Sequence, residues 1–222
     1  MTSRFLPVLL GMFALIIVNG CSVLPERPAK ATFMLPAPDI QQTSDQPIAL
    51  TLRVLRPHSE SPLEGTRILV NPNMQAVKAY AGAKWSKPTP VLIRDHWIDG
   101  MRQHGGFKAV VNETSAALSD LSLASDLTRF HIQYRRGQAA VFIQLDAQLF
   151  DSGSREVLAA KRFEVEQRID DQPIDRVIAG FGRANQTLTE KLVAWSLSVS
   201  RGIHGETGPA RPPSDTESST TE

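Results

Sequence analysis

A single cysteine, Cys21, stands in the 222 residues of this chain. No intramolecular disulfide can form, so any folded domain must be held by its core alone. Neither sign of charge is in excess: 24 Lys plus Arg face 23 Asp plus Glu. That balance argues against nucleic acid as the main partner. No phosphate-cradling glycine loop is present, because Gly100, Gly105 and Gly106 make neither a Walker nor a dinucleotide pattern. Ser152 and Ser154 lie in a turn without a nucleophile elbow. The 5 histidines are scattered, and His96 and His104 share a helix without an acidic partner at ligand spacing. Asp170-Asp171 directly precedes Gln172-Pro173 and reads as a polar loop, not a carboxylate pair for catalysis. The expectation is no catalytic residue, no metal and no enzyme; an esterase is the enzymatic alternative.

What is present begins at the N-terminus. Arg4 supplies an early positive charge, and an apolar run from Phe5 to Val18 follows. The run is shorter than the roughly 17–25 residues of a membrane-spanning helix and has the length of a signal h-region. Val18-Asn19-Gly20-Cys21 looks like a lipobox, with small residues before a cysteine whose thiolate can accept a diacylglyceryl group. The expected leader is residues 1–20, and the mature chain begins at a lipidated Cys21. An ordinary secretory leader with a chance cysteine is the alternative. Each buried acyl methylene contributes about 0.8 kcal/mol, so several chains anchor lastingly. Ser22 stands where an aspartate would favour inner-membrane retention in the usual lipoprotein sorting pattern. Serine there implies the outer membrane. Residues 21–30 form a linker with Pro25 and Pro28, and nine extended residues reach about 30 Å.

The remainder supports one domain of roughly 170 residues, predicted over 31–200, enough for a full core. Ala31–Leu35 alternates and reads as an opening strand. Ile48–Leu55 alternates with Ile48, Leu50, Leu52 and Val54 on one face. Pro57–Gly65 is turn-rich, Arg67–Val70 is a short strand, and Ala76–Tyr80 reads as another. Residues 88–104 have helical spacing, with Ile93, Trp97 and Met101 on one stripe, Pro88 in the first turn and Gly105-Gly106 at the end. Phe107–Val111 is a strand, and Asn112–Ser125 carries no clear pattern. Leu127–Arg135, Ala139–Phe150 and Glu156–Ile169 read as a three-stranded meander, with Arg136-Gly137-Gln138 and Asp151–Ser154 as its turns. Pro173 opens a final amphipathic helix over about 174–199. Gly202–Glu222 is Pro, Ser, Thr and Glu rich and is expected to be disordered. The predicted fold class is α/β of the α+β type, with a largely antiparallel sheet against two main helices.

This arrangement resembles the ABC-type transport auxiliary lipoprotein family over about residues 30–199. The lipobox ends in Cys21. Thr32-Phe33-Met34-Leu35 matches a family strand that usually carries Tyr where Phe33 stands. Ala83–Pro88, leading into the helix that ends at Gly105-Gly106-Phe107, matches an aromatic-x-x-Pro helix start formed by Trp85 and Pro88. The meander and terminal helix complete the match. Lys84 and Lys87 beside Trp85, and the long polar tail, depart from the pattern. The resemblance implies a docking or adaptor subunit that neither binds ATP nor breaks bonds. Its implied partners are an MCE-domain protein and ABC transporter subunits moving lipids or other hydrophobic molecules between membranes, besides the membrane reached through the lipid anchor; a homo-oligomer stays open. No cofactor is implied beyond the covalent lipid on Cys21. Trp85, Pro88, Arg135 and Arg136 are the candidates for helix docking or partner contact. A carrier that holds a hydrophobic ligand in its own pocket is the alternative function.

Overall fold

The computed structural model describes residues 29–42, 46–73, 76–135, 137–169 and 173–206. Cys21, Arg136, Asp170-Asp171 and the tail from residue 207 lie outside the described residues. The strands are β1 (Ala31–Phe33), β2 (Ile48–Val54), β3 (Arg67–Asn71), β4 (Lys78–Trp85), β5 (Phe107–Asn112), β6 (Leu121–Arg135), β7 (Gln138–Asp151) and β8 (Val157–Ile169). The helices are α1 (Thr89–His104), between β4 and β5, and α2 (Ile174–Glu206), after β8.

All eight strands join one curled sheet. The β6–β7–β8 meander is antiparallel and supplies most of the paired residues. β2 and β3 both join the other edge of β6 in parallel, β2 along Leu121–Leu123 and β3 along His131–Gln133. β5 then adds in parallel to β2, β4 adds antiparallel to β3, and β1 adds in parallel to β4. The expected meander is therefore the antiparallel half of a mixed sheet. The parallel additions come from strands separated by α1 and long connections, because a parallel neighbour cannot be reached by a tight hairpin.

The structure departs from the sequence expectation in five places. The strand expected at Ala76–Tyr80 is β4, which runs on to Trp85. Trp85 thus closes a strand instead of opening the helical segment. Pro88 is the N-cap of α1, not part of its first turn; Pro90 fills that place. This suits the chemistry, since a first-turn residue needs no amide hydrogen. Asn112–Ser125 contributes its second part to β6. The final helix extends beyond residue 199 to Glu206, so Gly202 lies inside it. The other end of α1 is as expected: Gly105 adopts φ 71° and donates its N–H to the Met101 carbonyl.

A bulge between Leu127 and Arg129 explains why β6 is only half legible in the sequence. Below it Leu121, Leu123 and Leu127 point to the core; above it Phe130 and Ile132 do. The parity of the apolar positions switches within one strand. β7 has no such break opposite, and Val141, Ile143, Leu145, Ala147 and Leu149 are all buried. Alternation in β7 therefore pairs with two shorter alternations in β6.

Both helices cover the core side of the sheet, α2 on β7 and β8, α1 on β5 and α2. Their contact is close because side chains are small. A methyl group on Gly100 would lie 2.5 Å from Thr189 Cγ2, and one on Gly106 would lie 2.6 Å from Leu197 Cδ1. Trp97 Nε1 donates to Asn185 Oδ1 at 3.1 Å across the same contact. The core centres on three rings. Trp85 packs edge-on against Phe181 at 5.2 Å and against Phe130 at 6.1 Å, and Phe130 meets Phe181 at 4.9 Å. One ring comes from β4, one from β6 and one from α2. Trp85 is 1% exposed. Truncating it removes the contact that ties the short strands to the helix. Trp85→Ala should destabilise by about 3–5 kcal/mol. A denaturant titration checks this, and an unchanged midpoint would contradict the packing role.

Candidate functional site

The residues singled out in the sequence do not converge on one place. Trp85 is interior and offers no surface to a partner. Pro88 is exposed at the start of α1, beside Lys87. Lys87 Nζ donates to Asp95 Oδ2 at 2.7 Å, and Arg94 Nη2 donates to Asp95 Oδ1 at 2.7 Å. Burial works to raise the Asp95 pKa, but these two cations outweigh it and hold the carboxyl below its usual value. Arg94 also reaches Glu113, so the cluster pins α1 to the segment after β5. These are structural ties.

Arg135 is exposed at the β6–β7 hairpin, which turns through Gly137 at φ 77°. Its guanidinium lies 4.7 Å from the centre of the Phe142 ring. His131 stacks on the same ring, 6.4 Å from Phe142. Burial, with help from the Arg129 charge, pushes His131 down to about 4, so it is neutral at pH 7.

Two concave places created by the fold are absent from the sequence reading. One is a groove of about 630 Å³ between β8 and α2, lined by Lys161, Phe163, Lys191, Ala194 and Trp195 among others. β8 pairs only with β7, so its other edge is unpaired along the described strand. Trp195 meets Phe163 edge-on at 5.6 Å, and Lys161 Nζ sits 5.3 Å over the same ring. Lys191 Nζ donates to the Glu164 carbonyl at 3.2 Å. Arg162 grips Asp146 with two hydrogen bonds, of 2.6 and 2.7 Å, which lower the Asp146 pKa and raise that of Arg162. The signal for this edge in the sequence is the charge run Lys161, Arg162, Glu164, Glu166 and Arg168 on a strand.

The second place is a cleft of about 620 Å³ where the Pro57–Gly65 connection crosses β6. That connection is more than a turn. Leu55 N donates to Leu123 O, His58 N donates to Ser125 O at 2.8 Å, and Leu127 N donates to His58 O at 2.8 Å. The segment holds the middle of β6, between the stretches taken by β2 and β3. Among the described residues no three His, Cys, Asp or Glu side chains gather as a metal site. None of the described helices is long and apolar enough to cross a membrane.

Comparison with known proteins gives this geometry a class. The family described as "ABC-type transport auxiliary lipoprotein component" matches residues 33–193. The chain belongs to that family. The family is one of lipoprotein components of ABC-type transport, which makes this chain a membrane-anchored, periplasmic type of protein and an accessory to transport. Among solved structures, it is similar to protein XCC0632 from Xanthomonas campestris, described as DUF330. The identity is 25%, the TM-score is 0.73, and the match covers 79% of this chain and 99% of that one. It is also similar in fold to an uncharacterized protein at 17% identity and TM-score 0.59, covering 75% of this chain and 97% of the other. A search of curated proteins found no match.

Between α1 and α2, His96 gives a measurable handle. It is 5% exposed and lies 3.3 Å from Thr189 Oγ1 through Nδ1. Burial lowers its pKa to about 4, against a raising contribution from the Pro36 backbone. The unfolded imidazole titrates near 6.5. Between these values only the unfolded chain takes up the proton, so stability is full above about pH 6.5 and falls as pH drops toward 4. From pH 6.5 to 5 the expected loss from His96 is about 1.5 kcal/mol. His131, also lowered to about 4, adds a slope of its own in this window, so His96→Gln should reduce the pH dependence in urea titrations without abolishing it; an unaltered slope would mean that His96 does not titrate there.

Proposed function

We propose that this chain is the docking subunit of an MCE-type ABC system for intermembrane lipid transport, held at the periplasmic face of the outer membrane by lipid on Cys21. The observation that carries the reading is the family match over residues 33–193. The lipobox supports anchoring, and Ser22 supports the outer membrane. Docking by strand addition needs an unpaired edge, and the outer edge of β8 is unpaired along the described strand. Its charges also oppose indiscriminate strand pairing, as an adaptor requires. The exposed Arg135 tip offers a second contact to an acidic partner.

Two experiments test this. Cys21→Ser should abolish acyl labelling and leave uncleaved precursor or soluble protein. A mutant that still fractionates as a processed, acylated membrane protein would remove the anchoring claim. In envelope extracts, the affinity-tagged lipoprotein should retain an MCE-domain protein together with ABC subunits. If mass spectrometry finds bound lipid at one per chain and no such proteins, a carrier function replaces docking.

A further inference from the structure

The cleft beside β6 has the makings of a ligand site that neither the family assignment nor the docking role uses. Its wall and floor include Leu63, Leu69, Val77 and Pro62. Leu69 is 4% exposed, yet it stands apart from the central core cluster. It is the partner of His131 in the β3–β6 ladder and lines the cleft together with residues of the Pro57–Gly65 connection. Val77, which also lines the cleft, is 52% exposed. An exposed valine and a buried leucine lining one cleft leave a partly finished apolar surface.

Polar groups frame that surface. Ser59 is 4% exposed, and its Oγ is buried with no hydrogen-bond partner. A buried hydroxyl left unmatched is costly, and a ligand's hydrogen-bonding group could offset that cost. The β6 bulge falls inside the cleft and sets Asp126, Thr128 and Arg129 along its rim. Bulges of this kind re-aim side chains next to binding sites. Glu60 and Asp126 are exposed carboxylates outside the ion pairs of the described residues. Asp146 is neutralised by Arg162. Among the lining residues Arg129 is the one permanent cation against these acids, beside the histidines His58 and His131, the latter neutral. The rim is net negative. The cleft volume of about 620 Å³ is within the range of small-ligand pockets.

We propose that this cleft binds a small cationic amphiphile, with its apolar part on Leu63, Leu69 and Val77 and its amine between Glu60 and Asp126. The site is separate from the groove between β8 and α2, linked to it through the Asp146–Arg162 pair, and its failure would leave the docking role untouched.

The test uses the mature chain from residue 21 carrying Cys21→Ser, so that no acyl group competes; every described residue is retained. Dodecylamine and dodecanoate, both below their micelle concentrations, are titrated calorimetrically. Dodecylamine should saturate one site per chain and bind at least about tenfold more tightly than dodecanoate. Val77→Arg fills the lip with a cation and should weaken dodecylamine about tenfold or more. Because Val77 is exposed, its replacement should leave the circular dichroism spectrum unchanged. Glu60→Gln with Asp126→Asn should erase the preference for the amine. Ala194→Arg, in the groove beside α2, should change nothing. Absence of saturable binding, equal or tighter binding of dodecanoate, or loss of binding through Ala194→Arg but not Val77→Arg would overturn the proposal.

Discussion

Everything in the sheet hangs on β6. At 15 residues it is long enough, about 50 Å, to serve two neighbours on one edge and a third on the other. β2 takes its lower part, β3 its upper part, and the His58 segment bridges the gap between them. β7 runs the full length of the opposite edge. The bulge lets one strand meet these demands, since it increases local twist and re-phases the inward side chains midway. A straight strand would keep Leu127 and Phe130 on opposite faces. With the bulge both are buried, 2% and 1% exposed.

The helices fit because their contacts are cut to backbone distance. Gly100 against Thr189, Gly106 against Leu197 and Gly182 against Pro36 are positions where a methyl group has no room. Buried polar groups then set the alignment. Asn185 receives the Trp97 indole, and Thr189 meets His96 while donating its own proton to the Asn185 carbonyl at 2.8 Å. Such bonds add little net stability each, but an alternative alignment would strand them, which is how a few polar groups select one packing.

Local patterns are legible in the sequence where one physical rule acts alone. The α1 stripe of Ile93, Trp97 and Met101, the Gly105 terminus and the clean alternation of β7 all follow from periodicity and punctuation. Where two rules meet, the pattern becomes ambiguous. Trp85-Ser86-Lys87-Pro88 carries the family's helix start, yet Trp85 belongs to β4; strand propensity and proline punctuation overlap there. The lower part of β6 is obscured because its alternation is out of phase with the upper part. The candidate site is hardly legible at all. Grooves arise between elements distant in sequence, such as Phe163 and Trp195 or Ser59 and Leu69, and periodicity carries no information about such pairs.

Strand directions also orient the molecule. β1 runs parallel to β4, β4 antiparallel to β3, and β3 parallel to β6. β1 therefore opposes β6, and its N-terminal end faces the same way as the Arg135 hairpin. The turn at Asp151–Glu156 lies at the far end of the β6–β7 pair from that hairpin. Leu118, 93% exposed, stands at that far end, in a loop held by Arg53. The Arg53 guanidinium donates to the carbonyls of Asn112, Ser115 and Ala117. Three carbonyls on one guanidinium fix the loop in advance of any partner, so little ordering entropy remains to be lost on contact. The β8 edge runs between the two ends. The unpaired β8 edge, the Arg135 hairpin and the Arg53-held loop thus sit at three separate places around one continuous sheet.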